Sequence, residues 1–274
     1  MKINDILAEA QSDKIKVFDH IINSTFFKNN YMDMIKNNDL DTILDAKHNW
    51  LYHASDKMEN DYGVMELRLR ENPRDTAKYV HDVINNLATK KFGYPIRNLL
   101  FSFTKKAKIV DFGYDYYVLF PLDDDYKLFY AEGISDFTEY YKNSKHGSDR
   151  FVQFIDHFSE KYRDFKQLPN IHWLYRGNVS KFNAVSSDQD VYEMAYDIFI
   201  EYDVDEEHSK KYAKAFMNSH RKFVESEASD YISRIKIVDK IKKQDEEYMI
   251  YSKNIGYVRV KDSRELLEYA KSKL

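Results

Sequence analysis

Apolar side chains recur along the chain with two different spacings. Residues 1–48 carry them at roughly helical intervals, as at Ile15, Phe18 and Ile22, and this pattern predicts a helical first segment. A second amphipathic pattern predicts a helix over residues 75–90, with a proline just before it and a glycine just after it. Three further helices and a closing helix follow from the same spacing. They are predicted at residues 148–166, 188–200, 206–226 and 263–273.

Short runs of aromatic and β-branched residues predict strands between these helices. The runs lie at residues 50–52, 99–103, 116–120, 127–130, 173–175, 231–238, 248–251 and 257–260. Aromatic residues are so frequent near residues 112–130 that a sheet core explains them best. The mixture of segregated helices and strands predicts the α+β class.

The chain divides most simply near Pro169 and Asn170, where the helical pattern breaks. The two tryptophans, Trp50 and Trp173, each begin a Trp-Leu-Tyr run, which indicates either an internal repeat or a chance match in a tyrosine-rich chain. We therefore predict a helical segment and two small modules, each a mixed or antiparallel sheet flanked by helices. Their bounds are 1–48, 49–168 and 169–274.

The amino-acid composition excludes several kinds of functional site. The 274 residues are 43% hydrophobic with a net charge of −4, which is typical of a folded protein. The absence of cysteine excludes disulfides and thiolate metal sites and fits a cytoplasmic location. Seven scattered glycines do not form a phosphate-binding loop. Neither a membrane-spanning run nor a metal-binding histidine pair occurs, so we expect no membrane and no metal partner.

Three motifs in the second half carry candidate chemistry. Tyr175 and Arg176 end a predicted strand, Ser186 and Ser187 precede a predicted helix, and the acidic run 245–247 enters a predicted strand. Each motif also has a simple structural interpretation. The arginine suits a surface ion pair, the serines suit a helix cap, and the acidic run suits a solvated turn.

In that order, the motifs provide the chemical groups that cleavage of NAD requires. A guanidinium binds a pyrophosphate through paired hydrogen bonds, and a serine can orient the ribose or support the acid. A carboxylate then stabilises the positive charge that develops on the sugar. Asp245 and Glu247 have the spacing of one strand face, as do Gln244 and Glu246, so two registers remain open.

These motifs resemble those of the ADP-ribosyltransferases of the arginine–serine–glutamate class, particularly small bacteriophage enzymes, over roughly residues 172–260. The resemblance implies that NAD is the substrate and that Arg176 and Ser187 hold it. It implies a catalytic Glu247, with Glu246 as the alternative and Asp245 positioning the acceptor. The flanking residues Tyr175 and Ser186 belong to the same two NAD-binding motifs.

The first half has its own resemblance. The runs 70–76, 97–104 and 116–121 resemble a family of uncharacterised phage proteins, and Leu51-Tyr52-His53 is similar to the histidine strand of the poly-ADP-ribose polymerase type. A second, degenerate ADP-ribosyltransferase-like module is implied. Its candidate NAD-binding residues are His53, Arg70, Arg74, Ser102 and Tyr117.

The expected activity is transfer of ADP-ribose from NAD to a protein or nucleic-acid acceptor, with release of nicotinamide, in phage–host conflict. Hydrolysis of NAD would use the same residues with water as the acceptor. The alternative is a non-enzymatic phage protein that keeps the fold, either as an inhibitor of a host factor or as a virion component.

Overall fold

The computed structural model describes residues 3–45, 50–56, 58, 60–69, 77–105, 115–134, 154, 157–158, 160–161, 185–242 and 247–274. The chain forms two compact units. A sheet unit combines Met1–Leu69, Leu99–Ile134 and Ile235–Leu274, and a helical unit combines Arg70–Asn98 and Ser135–Arg234. The helical unit is thus built from two stretches that leave the sheet unit between consecutive strands. These units differ from the three consecutive segments expected from the sequence.

All the described strands belong to the sheet unit. They are β1 (Tyr52–Ala54), β2 (Tyr62–Glu66), β3 (Leu100–Phe103), β4 (Tyr116–Pro121), β5 (Lys127–Ala131), β6 (Ile235–Val238), β7 (Glu247–Tyr251) and β8 (Asn254–Arg259). They form one eight-stranded sheet in the order β2-β8-β4-β1-β3-β7-β5-β6, in which every pairing is antiparallel. The expected α+β class is therefore confirmed.

The sheet joins strands from both halves of the chain. Val118 of β4 lies opposite Val258 of β8, and Phe101 of β3 lies opposite Met249 of β7. The expectation of two separate sheets is not met for the described strands, because each half supplies strands that pair with the other half. Residues 173–175, the second copy of the Trp-Leu-Tyr run, lie outside the described residues.

Helices and aromatic side chains complete the sheet unit. Its helices are α1 (Ile3–Asn23), α2 (Thr25–Phe27), a π-helical turn (Lys28–Met32), α3 (Asp33–Asn37), α4 (Leu40–Asp45) and, at the end of the chain, α8 (Ser263–Ser272). Tyr31 stacks on Trp50 with ring centroids 4.7 Å apart, and Phe120 meets both rings edge-on. Such contacts each add about 0.5–1.5 kcal/mol beyond burial, so the first helical segment is anchored to the sheet.

Every described element of the helical unit is a helix. They are α5 (Lys78–Phe92), a 3-10 turn (Ile96–Asn98), helical residues at 154, 157–158 and 160–161, α6 (Asp188–Glu201) and α7 (Glu206–Arg234). At 29 residues, α7 is about 44 Å long and packs against both α5 and α6. Gly93 ends α5 at a φ of 82°, a left-handed conformation that glycine adopts without steric cost.

Asp188 links the three long helices of this unit. The Tyr79 hydroxyl of α5 donates to its Oδ1 at 2.8 Å, and Arg221 of α7 forms an ion pair with it. Burial alone would raise the pKa of Asp188, but the hydrogen bonds from Arg221 and Tyr79 outweigh burial and lower it. The carboxylate therefore stays charged and holds α5, α6 and α7 together.

Two boundaries differ from the sequence prediction. The run 231–238 was expected to be a strand throughout, but α7 continues to Arg234 and the strand is only Ile235–Val238. Tyr231 and Ile232 are buried at helical spacing from Ala228, so their packing favours continuation of the helix. Strand β2 was not predicted, because its half-exposed residues do not alternate cleanly between apolar and polar.

Gly256 on β8 occupies a site with no room for a side chain. An added Cβ would lie 2.8 Å from Cγ1 of the fully buried Ile21 and 3.1 Å from Cδ2 of Leu122. We expect Gly256→Ala to lower the free energy of unfolding by about 1–3 kcal/mol, measured by urea unfolding, because overpacking forces the core apart. The control is Val64→Ala, directly opposite on β2 and 43% exposed, which should change it by less than about 0.5 kcal/mol. Equal effects would contradict the packing argument.

The buried His220 predicts acid sensitivity of the helical unit. Its ring lies 5.6 Å from that of Tyr79 and 5.9 Å from that of Phe154, and burial lowers the pKa of His220 to about 4 despite the nearby Asp188 charge. The unfolded chain binds the proton more readily than the folded one, so stability is full above pH 6.5 and falls towards pH 4. Urea unfolding as a function of pH should show this loss.

Replacement of the titrating ring provides the control. His220→Phe keeps an aromatic ring among its neighbours and should flatten the stability profile between pH 6.5 and 4. An unchanged slope in His220→Phe would show that other groups cause the acid sensitivity.

Candidate functional site

Glu247 begins β7, in the interior of the sheet between β3 and β5. Its side chain is half-buried, whereas Tyr248, Met249 and Ile250 after it are fully buried. This buried apolar run fixes the strand, and Glu247 stands where the strand begins. Phe103 of β3 lies directly opposite Glu247, and Ala131 ends the flanking strand β5. The backbone of Glu247 is therefore held at a defined position at one end of β7.

Ser102 lies on β3 beside the acidic strand. It is fully buried, lies opposite Tyr248, and its hydroxyl makes a long contact of 3.5 Å as donor to the Tyr248 carbonyl oxygen. This contact adds to the antiparallel pairing of β3 with β7 one residue away from Glu247. Ser102 is thus placed to support the strand that carries the acid.

His53 lies on β1, the strand on the other side of β3. The ring is half-buried, and its Nδ1 is 2.8 Å from the carbonyl oxygen of Phe101. A carbonyl only accepts hydrogen bonds, so Nδ1 carries a proton and donates it. In the neutral ring Nε2 is then the acceptor nitrogen, and protonation would make both nitrogens donors.

Tyr52 precedes His53 and completes a row across the three strands. It lies opposite Phe103, which in turn lies opposite Glu247, so the three side chains project from the same face of the sheet. Two strand spacings separate the backbones of Tyr52 and Glu247, or about 10 Å. Burial raises the pKa of Tyr52 to about 12, so its phenol stays neutral at physiological pH. The sequence alone does not point to Tyr52, because only the strand register connects it with Glu247.

Tyr117 lies on β4 opposite His53 and is almost completely buried. Its hydroxyl donates to the Met58 carbonyl oxygen at 3.0 Å, and its ring meets that of Tyr257 edge-on. Burial raises the pKa of Tyr117. These contacts give Tyr117 a packing role beside His53.

Ser186 and Ser187 belong to the helical unit, at the start of α6. The Ser187 hydroxyl caps the helix by accepting a hydrogen bond from the Asp190 amide at 3.1 Å, and the Ser186 hydroxyl donates to the Asp190 carboxylate at 2.6 Å. These are the bonds of an ordinary helix cap. The remaining candidates, namely Arg70, Arg74, Tyr175, Arg176, Asp245 and Glu246, lie outside the described residues.

The described ranges also bear on metal binding and on membrane insertion. No cluster of three or more histidine, aspartate or glutamate side chains there could hold a metal ion. None of the helices in those ranges combines the length and apolarity needed to cross a membrane.

Comparison with models of known protein families, with curated proteins and with solved structures gave no match. The candidate site therefore has to be judged on its own geometry. That geometry places His53, Ser102 and Glu247 on three adjacent strands. Glu247 and Tyr52 project from one face of the sheet, and His53 and Ser102 project from the other.

The cap at α6 predicts the consequence of changing Ser187. We expect Ser187→Ala to lower the free energy of unfolding by about 1 kcal/mol, because the Asp190 amide loses its partner. Ser187→Asn should restore most of that stability, since asparagine caps helices as well as serine does. Urea unfolding of both variants measures this. Equal destabilisation by alanine and asparagine would contradict the capping role.

Proposed function

We propose that this protein is an ADP-ribosyltransferase that uses NAD as its substrate, with the site on strands β1, β3 and β7. The observation that carries the proposal is the adjacency of these strands, which places Glu247 in register with Phe103 and Tyr52 on one face of the sheet. The resemblance of the second half implies that Glu247 is catalytic, and the separate resemblances of the first half imply His53 and Ser102 as candidate NAD-binding residues.

Glu247 is proposed to supply the catalytic carboxylate. In the reaction the bond between the nicotinamide nitrogen and the ribose carbon breaks, and nicotinamide leaves with the bonding electrons. The ribose carbon becomes positively charged, and a carboxylate that accepts a hydrogen bond from a ribose hydroxyl stabilises that charge. An acceptor oxygen or nitrogen then forms the new bond and loses its proton. The position of Glu247 at the start of a buried strand suits this role, since the strand fixes the backbone from which the carboxylate projects.

Ser102 is proposed to support the strand that carries Glu247. His53 follows Tyr52 on β1 and projects from the opposite face of the sheet from Glu247, so it is assigned no contact with an NAD bound at Glu247. Ser102 is too buried to contact a substrate and acts through the strand pairing next to Glu247. The assignments of Tyr175 and Arg176 to NAD, of Asp245 to the acceptor and of Glu246 as the alternative catalytic residue remain predictions from the sequence.

The test is incubation of the purified full chain with NAD labelled on its ADP-ribose portion, together with a cell lysate, while nicotinamide release is followed separately. We expect labelled protein or nucleic acid, and we expect Glu247→Gln to reduce both readouts by about 100-fold or more, because the amide keeps the shape but loses the charge.

Glu66→Gln is the matched control, because Glu66 is an exposed glutamate at the end of β2 in the same sheet. Its activity should equal that of the unchanged protein. Nicotinamide release without a labelled acceptor would indicate NAD hydrolysis at the same site. Folded protein that neither transfers label nor releases nicotinamide would contradict the proposal and favour a binding protein.

A further inference from the structure

The outward face of helix α6 combines apolar and acidic side chains in a regular order. The opposite face of α6 is buried, and the helix packs against α7. Its buried residues are Val191, Met194, Ala195, Ile198 and Phe199. On the outward side an apolar or aromatic residue is followed by an acidic one three times, at Tyr192-Glu193, Tyr196-Asp197 and Ile200-Glu201. The interval of four residues is close to one helical turn, so these residues form two parallel stripes.

The first stripe consists of Tyr192, Tyr196 and Ile200, and we refer to it as the tyrosine–isoleucine stripe. The two tyrosine rings are nearly parallel, with centroids 6.3 Å apart and 13° between their planes. Both tyrosines are half-buried, whereas Ile200 is 41% exposed and Tyr202, at the end of the helix, is 43% exposed. Eight residues at 1.5 Å each give the stripe a length of about 12 Å. It therefore offers a partner an apolar surface about two turns long.

The second stripe consists of Glu193, Asp197 and Glu201, and we refer to it as the acidic stripe. All three residues are exposed. Glu193 accepts a hydrogen bond from the side-chain amide of Gln189 at 2.7 Å, and this neutral donor leaves the charge of Glu193 in place. Among the described residues neither Glu193 nor Asp197 forms an ion pair, whereas Glu201 takes part in a further interaction. Two carboxylates of the stripe therefore present their charge to the solvent.

The surrounding sequence adds further negative charge. Residues 185–209 contain nine acidic residues and no lysine or arginine. Two of the nine, Asp188 and Asp190, already form bonds within the fold. Lys210 is close enough to both tyrosines of the stripe to interact with them electrostatically, but it pairs with Glu206. The potential over this face of α6 is therefore negative, which favours a cationic partner.

The two stripes together restrict the class of partner. The carboxylates repel nucleic acids and anionic membranes, and small cations would leave the tyrosine–isoleucine stripe uncovered. An extended peptide gains backbone hydrogen bonds from a sheet edge, but the backbone groups of α6 are already bonded within the helix. A helical partner satisfies its own backbone and repeats its side chains once per turn. Apolar and basic stripes on such a helix therefore match the two stripes of α6.

We propose that this face of α6 binds a basic amphipathic helix of a partner protein. The apolar side of the partner helix packs on the tyrosine–isoleucine stripe, and its lysines or arginines pair with Glu193 and Asp197. Arginine side chains of the partner also stack on the tyrosine rings. This inference depends only on the helical unit and is independent of the proposed enzymatic function.

The experiment measures fluorescence anisotropy of a labelled synthetic peptide that is titrated with the full chain, without NAD. The peptide has about 18 residues of alanine, leucine and lysine, arranged so that in a helix the leucines form one stripe and the lysines lie beside it. We expect a dissociation constant of about 100 µM or tighter at about 50 mM salt, and weaker binding at about 200 mM salt. A peptide of the same composition in shuffled order should bind at least about fivefold more weakly, because its leucines form no stripe.

Two variants test the two stripes separately. Ile200→Ser should weaken binding about fivefold or more at both salt concentrations, because the leucines of the peptide lose an apolar contact. The double variant Glu193→Gln, Asp197→Asn should weaken binding about fivefold at about 50 mM salt and much less at about 200 mM, because salt already screens the attraction that it removes.

Matched controls for both variants lie in the sheet unit. Val64→Ser removes an apolar side chain that is 43% exposed, and Asp33→Asn with Glu66→Gln removes two exposed acidic residues and so changes the net charge equally. Both controls should bind the peptide like the unchanged protein. Glu247→Gln should do so as well, which separates helix binding from the enzymatic proposal. Circular dichroism establishes that each variant is folded.

Three results would overturn the assignment. Equal binding of the shuffled peptide, or an equal loss in the sheet-unit charge control, would show that net charge alone drives the binding. Sedimentation velocity of the full chain tests a second copy of the chain as the occupant, and self-association that Ile200→Ser abolishes would replace the partner helix by that copy. Absence of peptide binding at about 50 mM salt by folded protein would remove the proposal altogether.

Discussion

The pairing of β3 with β7 is the interaction on which the rest of the sheet unit depends. These strands come from residues 100–103 and 247–251, and each is hydrogen-bonded on both edges within the eight-stranded sheet. The chain builds most of the helical unit between β5 and β6 before it returns to form β7. Closing so long a loop costs conformational entropy, and the burial of Tyr248, Met249 and Ile250 offsets that cost.

Ion pairs join distant parts of the chain within each of the two units. In the sheet unit Arg259 pairs with both Asp61 and Asp115, and in the helical unit Asp188 joins three helices through Tyr79 and Arg221. These groups compensate each other within the fold.

The two serine candidates show how local and long-range constraints differ. Ser187 follows the rule for helix caps, which depends on a few consecutive residues, and the structure shows that cap. Ser102 lies in a strand with no local motif. Only the strand pairings place it between β1, which carries His53, and the start of β7. Ordinary periodicity could not identify Tyr52, because its relation to Glu247 runs across two strand pairings.

The sequence by itself determined the kinds of elements and most of their positions, because helical and strand spacing are local properties of consecutive residues. The helices near residues 78–92 and 188–201 and the strands near 116–121 and 247–251 follow from that spacing. Only the tertiary structure decided that strands from both halves share one sheet and that α7 extends to Arg234. Strand partners and helix ends depend on which surfaces become buried together, and burial is a property of the whole chain rather than of any short run of residues.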